Sequence, residues 1–310
     1  MAVDARDRFP YQSFIWNQAR WDGFVLRPDD IVISTAPKCG TTWMQMQCAL
    51  LVFRTPDLPA PLATLSPWLD MNTRPLDEVR AALEAQTHRR FIKTHLPLRG
   101  LPWDDRVTYL HVARDPRDAA MSWDNHLANI DFDRMIEVRA DAVGLDDLAD
   151  LGIDGEGLEP SEDPVERFWT WMEGNGNSGA MASLEALVHH SRTFWEVRDA
   201  PNVHLFHYTA QRADLAGAMA RLADALGVDP PTDELVEAAR FERMKARADD
   251  LVPNSDTPFW QSNEQFFDRA RTGDWRSLVG DEGLPRYEAA VRAATDDEDL
   301  ITWLHQGPIT

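Results

Sequence analysis

The chain has 310 residues, 44% hydrophobic and 27% charged, the proportions of an ordinary globule that can bury a real core, with one large α/β domain over 1–310 as the simplest organisation. No run approaches the ~20 apolar residues of a membrane span, so stable membrane insertion is not expected. The formal net charge of −21 speaks against nucleic acid as a partner, and an acidic chain that binds an anionic ligand must gather its few cations locally.

The start, MAVDARDRFPYQSFIW, lacks a basic flank followed by an apolar core, so a cytoplasmic location is expected. Phe9, Tyr11, Phe14, Ile15, Trp16 and Trp21 form an aromatic lead-in that either packs on the core or shares in an acceptor pocket. Ile31-Val32-Ile33 then runs into the turn Ser34-Thr35-Ala36-Pro37-Lys38-Cys39-Gly40-Thr41-Thr42, and Trp43 to Phe53 follows without a breaker. This predicts strand, tight loop, helix. The first N–H groups of such a helix have no intrahelical partner and its dipole favours negative charge, so the loop suits a phosphate-like group. Lys38 adds positive charge, Gly40 permits close backbone approach, and Thr41 and Thr42 add hydroxyl donors. The lysine precedes the glycine, unlike the nucleotide pattern GxxxxGK(S/T), which makes ATP with magnesium a poor expectation.

The string APKCGTTW instead resembles the 5′-phosphosulfate loop, usually PKSGTTW, of sulfotransferases that use 3′-phosphoadenosine 5′-phosphosulfate (PAPS), with Cys39 in place of the commoner serine. The resemblance implies a P-loop-like sulfotransferase fold, Lys38, Cys39, Gly40, Thr41, Thr42 and Trp43 around the donor, and adenosine 3′,5′-bisphosphate as product. Cys39 and Cys48 are the two cysteines. If both lie on the helix they stand roughly 13 Å apart, too far for a disulfide, so free thiols are expected. A helix N-terminus lowers a thiol pKa, but the preferred reading of Cys39 is a small residue tolerated in a backbone-binding loop.

Residues 54–77 hold five prolines with Trp68 and Met71 among them, and read as an ordered loop of the kind that contacts substrate. Residues 76–90 have helical spacing, and Phe91-Ile92-Lys93-Thr94-His95-Leu96-Pro97 is a short strand stopped by proline. KTHLP extends the resemblance. In that family the histidine here takes the proton from the acceptor hydroxyl, which implies His95 as base, with Lys38 and Lys93 stabilising charge. An imidazole of ordinary pKa ~6.5 suits that task.

Val107 to Ala113 is the next strand, and Asp115-Pro116 opens a helix. RDPRDAAMS is similar to the family's 3′-phosphate motif RNPKDVAVS, so Arg114 and Ser122 match its two ligands, while Arg117 and Asp118 read as surface helix pairs. The acidic, glycine-spaced stretch within 133–165 reads as an insertion, either a mobile flap over the acceptor or a solvated excursion. Pro164 to Met172 looks helical and precedes a Gly/Asn break; His189 and His190 follow on a further helix and read as structural, since no metal-ligand spacing surrounds them. No metal is expected.

Val203 to Tyr208 is a strand and 210–227 an Ala/Leu-rich helix. Tyr208 fits the family's adenine-side tyrosine although Thr209 and Ala210 replace its acidic pair, and Phe241-Glu-Arg-Met244-Lys245 is similar to SFxxMK, with Ala239 where a threonine usually stands. Phe266 to Trp275 is similar to FxRKGxxGDW with Asp268 and Ala270 as departures, so Arg269 is retained and Arg271 is a candidate substitute for the missing charge. Strands alternating with helices predict a mainly parallel sheet flanked by helices on both faces, with the phosphate loop at the carboxyl end of its first strand. SPWLD, RRFIKTH and RDPRDAA further resemble mycobacterial glycolipid-type sulfotransferases. The implied reaction is in-line transfer of a sulfuryl group to a small-molecule or glycolipid-like hydroxyl. Two other readings carry different predictions: a phosphotransferase would turn over magnesium–ATP, and a non-catalytic PAPS-binding module would bind the donor without transfer. Oligomeric state is not encoded in any recognised motif.

Overall fold

The structure, a computed structural model, describes residues 11–151, 161–174, 182–253, 259–267 and 272–307. Its centre is a parallel sheet of β1 (Ile31–Ser34), β2 (Phe91–Thr94), β3 (Thr108–Ala113) and β4 (Val203–His207) in the order β2-β1-β3-β4. All three pairings are parallel. The chain moves from β1 to one neighbour, β2, and then crosses to the other side for β3. That reversal opens a crevice at the carboxyl end of β1, where ligands bind in open α/β sheets.

The two-residue period of the strands decides which layer each side chain joins. Ile31 and Ile33 pack with Met46 and Leu50 of α1 (Thr41–Phe53) and Leu222 of a later helix. Val32, Ile92 and Tyr109 face the other way, onto Trp21, Leu83 and Phe194. Both faces are therefore covered, as the near-continuous apolar strands require.

Beyond β1 the expected elements appear with instructive differences. The proline-rich stretch contains one helical turn, α2 (Leu62–Leu65), before α3 (Leu76–Ala85). α4 (Pro116–Leu127) starts as expected: Asp115 accepts from the Arg117 N–H and Pro116 occupies the first turn, where its missing N–H costs nothing. The region read as an acidic insertion begins with a helix, α5 (Phe132–Val143), capped by Asp131. Met135 and Val138 are buried in it, and the Arg139 guanidinium donates to the Phe14 carbonyl and pairs with Asp147. Within that expected insertion, residues 152–160 lie outside the described residues. α6 (Pro164–Glu173) and α7 (Leu184–Trp195) follow. The helix expected over 210–227 is two, α8 (Tyr208–Ala213) and α9 (Leu215–Leu226), because Asp214 leaves helical geometry to cap α9 through the Gly217 N–H. Among the described residues, no helix is long and apolar enough to cross a membrane.

Candidate functional site

A cavity of about 420 Å³ lies at the carboxyl end of β1. The loop leaving β1 supplies its floor. Lys38 and Gly40 both take left-handed backbone angles, with φ of +65° and +101°. Gly40 is needed twice over, since a Cβ there would also stand 2.9 Å from Cδ2 of Tyr208. The Met44 N–H bonds the Gly40 carbonyl, so the preceding N–H groups at the start of α1 have no intrahelical partner and face a cavity lined by Thr41, Thr42 and Trp43. Thr41 Oγ1 lies 2.5 Å from Thr35 Oγ1.

Of the expected loop residues Cys39 stands apart. Its side chain is buried away from the cavity and its N–H bonds the Ala36 carbonyl. Burial pushes the thiol up to about 12, against the pull of Arg114 and Lys38, so desolvation outweighs any lowering by the helix N-terminus. Both cysteines are free.

The cations do converge. Lys38, Lys93, Arg114, Arg212 and Arg240 line the cavity against Asp118, Glu242 and Asp274, five basic to three acidic, while the whole chain has 31 to 52. Arg114 leaves β3 and donates to the Lys38 carbonyl at 3.0 Å with its guanidinium 4.4 Å from the Tyr208 ring. Ser122, two turns along α4, lines the same cavity. Arg117 and Asp118 are not the surface pair expected. Arg117 forks onto Asp115 and covers the Trp275 ring, whereas Asp118 is buried, accepts from the Gly273 N–H at 2.7 Å and lines the cavity. Burial raises the Asp118 pKa, opposed by the Gly273 N–H and by Arg114.

His95 follows β2. Its Nδ1 lies 2.7 Å from the Thr35 carbonyl, which can only accept, so the proton sits on Nδ1 and Nε2 keeps its lone pair. The Trp68 ring meets it edge-on at 4.6 Å and Trp16 stands 5.9 Å away. Burial first, then Lys93 and Lys38, hold the imidazole well below the usual histidine range despite the Thr35 bond. The result is a neutral imidazole whose unprotonated nitrogen is Nε2. The buried Lys93 ammonium lies 4.1 Å from the Trp68 ring, and burial together with Lys38 brings it down to about 7 against the pull of Asp70. Trp16, Trp68 and Trp260 belong to connecting segments joined by isolated bridges, Trp16 to Met71, Trp68 to Lys93 and Trp260 to Ile130. The aromatic lead-in and the proline-rich loop thus both reach the cavity, through Ile15, Trp16, Trp68 and Met71.

At the opposite end Trp43 and Tyr208 meet edge-to-face at 5.4 Å, and Phe241 lines the wall. The Trp43 indole N–H donates to the Ala239 carbonyl at 2.8 Å, so position 239 contributes its backbone where a side-chain hydroxyl was missing. Arg269 and Arg271, with Asp268, lie outside the described residues.

One residue was overlooked in the sequence. His126 is four residues after Ser122, hence on the same face of α4. Its Nδ1 accepts from the Lys38 ammonium at 3.2 Å, and Trp260, Trp123 and Phe266 surround its ring. Burial, Lys38 and Lys93 keep it well below the ordinary histidine range. The i, i+4 spacing from Ser122 was the available signal. Among the described residues, no group of three or more His, Cys, Asp or Glu side chains is placed to hold a metal ion.

Comparison with known proteins gives a consistent result. The model of the Sulfotransferase domain matches residues 28–297. Glycolipid sulfotransferases of Mycobacterium bovis (strain BCG / Pasteur 1173P2) and Mycobacterium tuberculosis (strain ATCC 25177 / H37Ra) are each 41% identical, over 97% of this chain and 95% of theirs. Among solved structures, retinol dehydratase in complex with retinol and PAP superposes with a TM-score of 0.67 at 21% identity, over 90% of this chain and 84% of the other. A mouse sulfotransferase complexed with PAP gives 0.66 at 18%, over 93% and 91%.

Proposed function

The chain belongs to the sulfotransferase domain family, and on that premise we propose how its cavity moves a sulfuryl group from PAPS to an acceptor hydroxyl. The observation that carries the assignment is a single cavity in which a cation-bearing helix start meets an imidazole whose Nε2 is fixed as an acceptor. The donor set suits PAPS: backbone N–H groups and Lys38 for the 5′ end, Arg114 and Ser122 for a 3′-phosphate, and the rings of Trp43, Tyr208 and Phe241 for adenine. PAPS, when bound, supplies the electrophilic sulfuryl group.

The chain's own residues then have distinct tasks. His95 Nε2 takes the proton from the acceptor hydroxyl, and the Thr35 carbonyl stabilises the imidazolium by accepting from Nδ1. Lys38 places its ammonium against charge developing on the departing side, with Lys93 assisting. Trp16 and Trp68 flank the base with apolar surface. The aromatic and methionine walls, together with relatives named as glycolipid sulfotransferases, support a glycolipid-like or other largely apolar alcohol as acceptor. We place the protein in the cytoplasm as one domain, the family match over residues 28–297 supporting the single domain. The direct test is transfer of label from radiolabelled PAPS to a panel of glycolipid, sterol and phenol acceptors. Failure of calorimetry to detect either PAPS or adenosine 3′,5′-bisphosphate would overturn the reading.

Two further outcomes separate the roles. Arg114→Ala should weaken adenosine 3′,5′-bisphosphate by about 1.5–3 kcal/mol, the scale of a charged hydrogen bond, and leave adenosine 5′-phosphate almost untouched. A persistent preference of the variant for the bisphosphate would remove Arg114 from the site. For Lys93, a free-state pKa of about 7 leaves it mostly neutral at pH 8, and an arriving anion raises that value. Bisphosphate binding at pH 8 should therefore take up a proton, and affinity should fall as pH rises above about 7. Calorimetry in two buffers of different ionisation enthalpy reads the uptake, which should vanish in Lys93→Met; equal uptake in both proteins would contradict the assignment.

A further inference from the structure

We propose that Ser34 and His190 form a buried strap that positions the His95 imidazole; the idea rests on His95 being the base. Ser34 ends β1 and is fully buried. Its hydroxyl donates to the Leu96 carbonyl at 2.5 Å and, with its one proton committed, accepts from His190 Nε2 at 3.0 Å. Leu96 is the residue after His95, and its N–H bonds Thr94 Oγ1 at 2.9 Å, across the same turn. The Ser34 carbonyl is held too, by His111 Nδ1 at 3.1 Å. The next carbonyl along, that of Thr35, is the one on which His95 rests. One serine thus ties the carbonyl that orients the base to the turn that carries it, and two imidazoles from α7 and β3 tie the serine.

The two imidazoles are dispensable for packing. His190 stacks on Phe194 at 5.5 Å and on His111 at 5.1 Å, in an apolar layer where a phenyl ring would serve as well. Instead each buried ring leaves one nitrogen, His190 Nδ1 and His111 Nε2, with no hydrogen-bond partner among the described residues, an unfavourable arrangement for a purely structural core. Burial keeps both rings neutral, His111 down to about 4, and because the Ser34 proton is committed to the Leu96 carbonyl, the His190 proton sits on Nε2, where it also feels that carbonyl. What the arrangement secures is the direction of one N–H, from His190 Nε2 into Ser34. A base misplaced by about 1 Å loses on the order of 10²-fold in rate, so a strap two bonds removed from the chemistry has a measurable effect.

His190→Phe keeps the ring volume and loses the N–H, whereas His190→Gln puts an amide N–H near the Nε2 position. Ser34→Ala cuts the strap at its centre. Expected results are a kcat lowered roughly 10- to 100-fold in His190→Phe and Ser34→Ala, unchanged affinity for adenosine 3′,5′-bisphosphate, and recovery of most of the kcat in His190→Gln. The acid limb of kcat against pH should move upward in the two impaired variants as His95 loses its fixed, desolvated setting. Nitrogen-15 spectra of His95 in the ligand-free protein give a readout independent of turnover: a single Nδ1-protonated form in wild type and in His190→Gln, mixed tautomers in the other two. Should His190→Phe not fold, the Ser34→Ala spectrum decides. An unchanged His95 signal in Ser34→Ala, or equal kcat loss in His190→Phe and His190→Gln, would overturn the proposal, whereas absent donor binding in wild type would instead overturn the sulfotransferase assignment of the site.

Discussion

Replacing His95 with alanine should lower kcat by roughly 10²- to 10⁴-fold, the usual contribution of a positioned general base. Affinity for adenosine 3′,5′-bisphosphate should stay the same, because His95 bonds the Thr35 carbonyl and meets Trp68 and Trp16, away from the Trp43, Tyr208 and Phe241 end of the cavity. The fixed Nδ1–H explains why the effect should be this large. A neutral imidazole with Nε2 unprotonated is the form that accepts a proton, and burial beside Lys93 keeps it in that form at neutral pH. For the same reason wild-type turnover should persist below pH 6.5, where an ordinary histidine would already be half protonated. Stopped-time assays of wild type and His95→Ala across pH 5–9 measure both effects; near-full turnover in the variant would remove His95 from the mechanism.

Lys38→Ala should cost about 10²- to 10³-fold in kcat, the scale of losing one preorganised donor to developing charge. Donor affinity should fall as well, since the residue lines the loop end of the cavity. The backbone supports the assignment. Lys38 holds a left-handed angle, a conformation disfavoured for residues with a Cβ, and its carbonyl is fixed by Arg114. Its ammonium lies between His126 and the Phe266 ring, 4.9 Å from the ring centre. Single-turnover rates with preloaded donor separate the two losses. A variant impaired only in donor KM would leave Lys38 as a binding group and nothing more.

Much of this site could be read from the sequence because its backbone pieces are short and local. Three β-branched residues, a turn with Pro37 and Gly40 and an unbroken run to Phe53 specify strand, loop and helix without tertiary information. Asp115-Pro116 marks the start of α4 for the same reason. Contacts that depend on packing were hidden. The string RDPRDAAMSWDNH puts His126 on the Ser122 face of a helix but does not show that it meets Lys38 or that Asp118 turns inward onto Gly273, because both follow from how α4 is rotated against the loop. Cys39 illustrates competing effects: the helix start favours a thiolate, but complete burial disfavours it more, and burial is a property of the fold. The start of α5 was obscured by its surroundings, where acidic and glycine-rich residues mask the Asp131 cap and the buried face of Met135 and Val138.

The aromatic rim of the cavity is drawn from connectors, Trp16 before the sheet begins and Trp68 between α2 and β2 against His95, and Trp260 far downstream against His126, each tied down by a single bridge. Among the described residues, no strand contributes a side chain to that rim except through Lys93. Exchange of these aromatic residues would therefore reshape the mouth of the cavity while the hydrogen bonds that orient the imidazole and the phosphate loop remain intact. Divergence toward a new alcohol is cheap in such an architecture, and divergence toward a new chemistry is not.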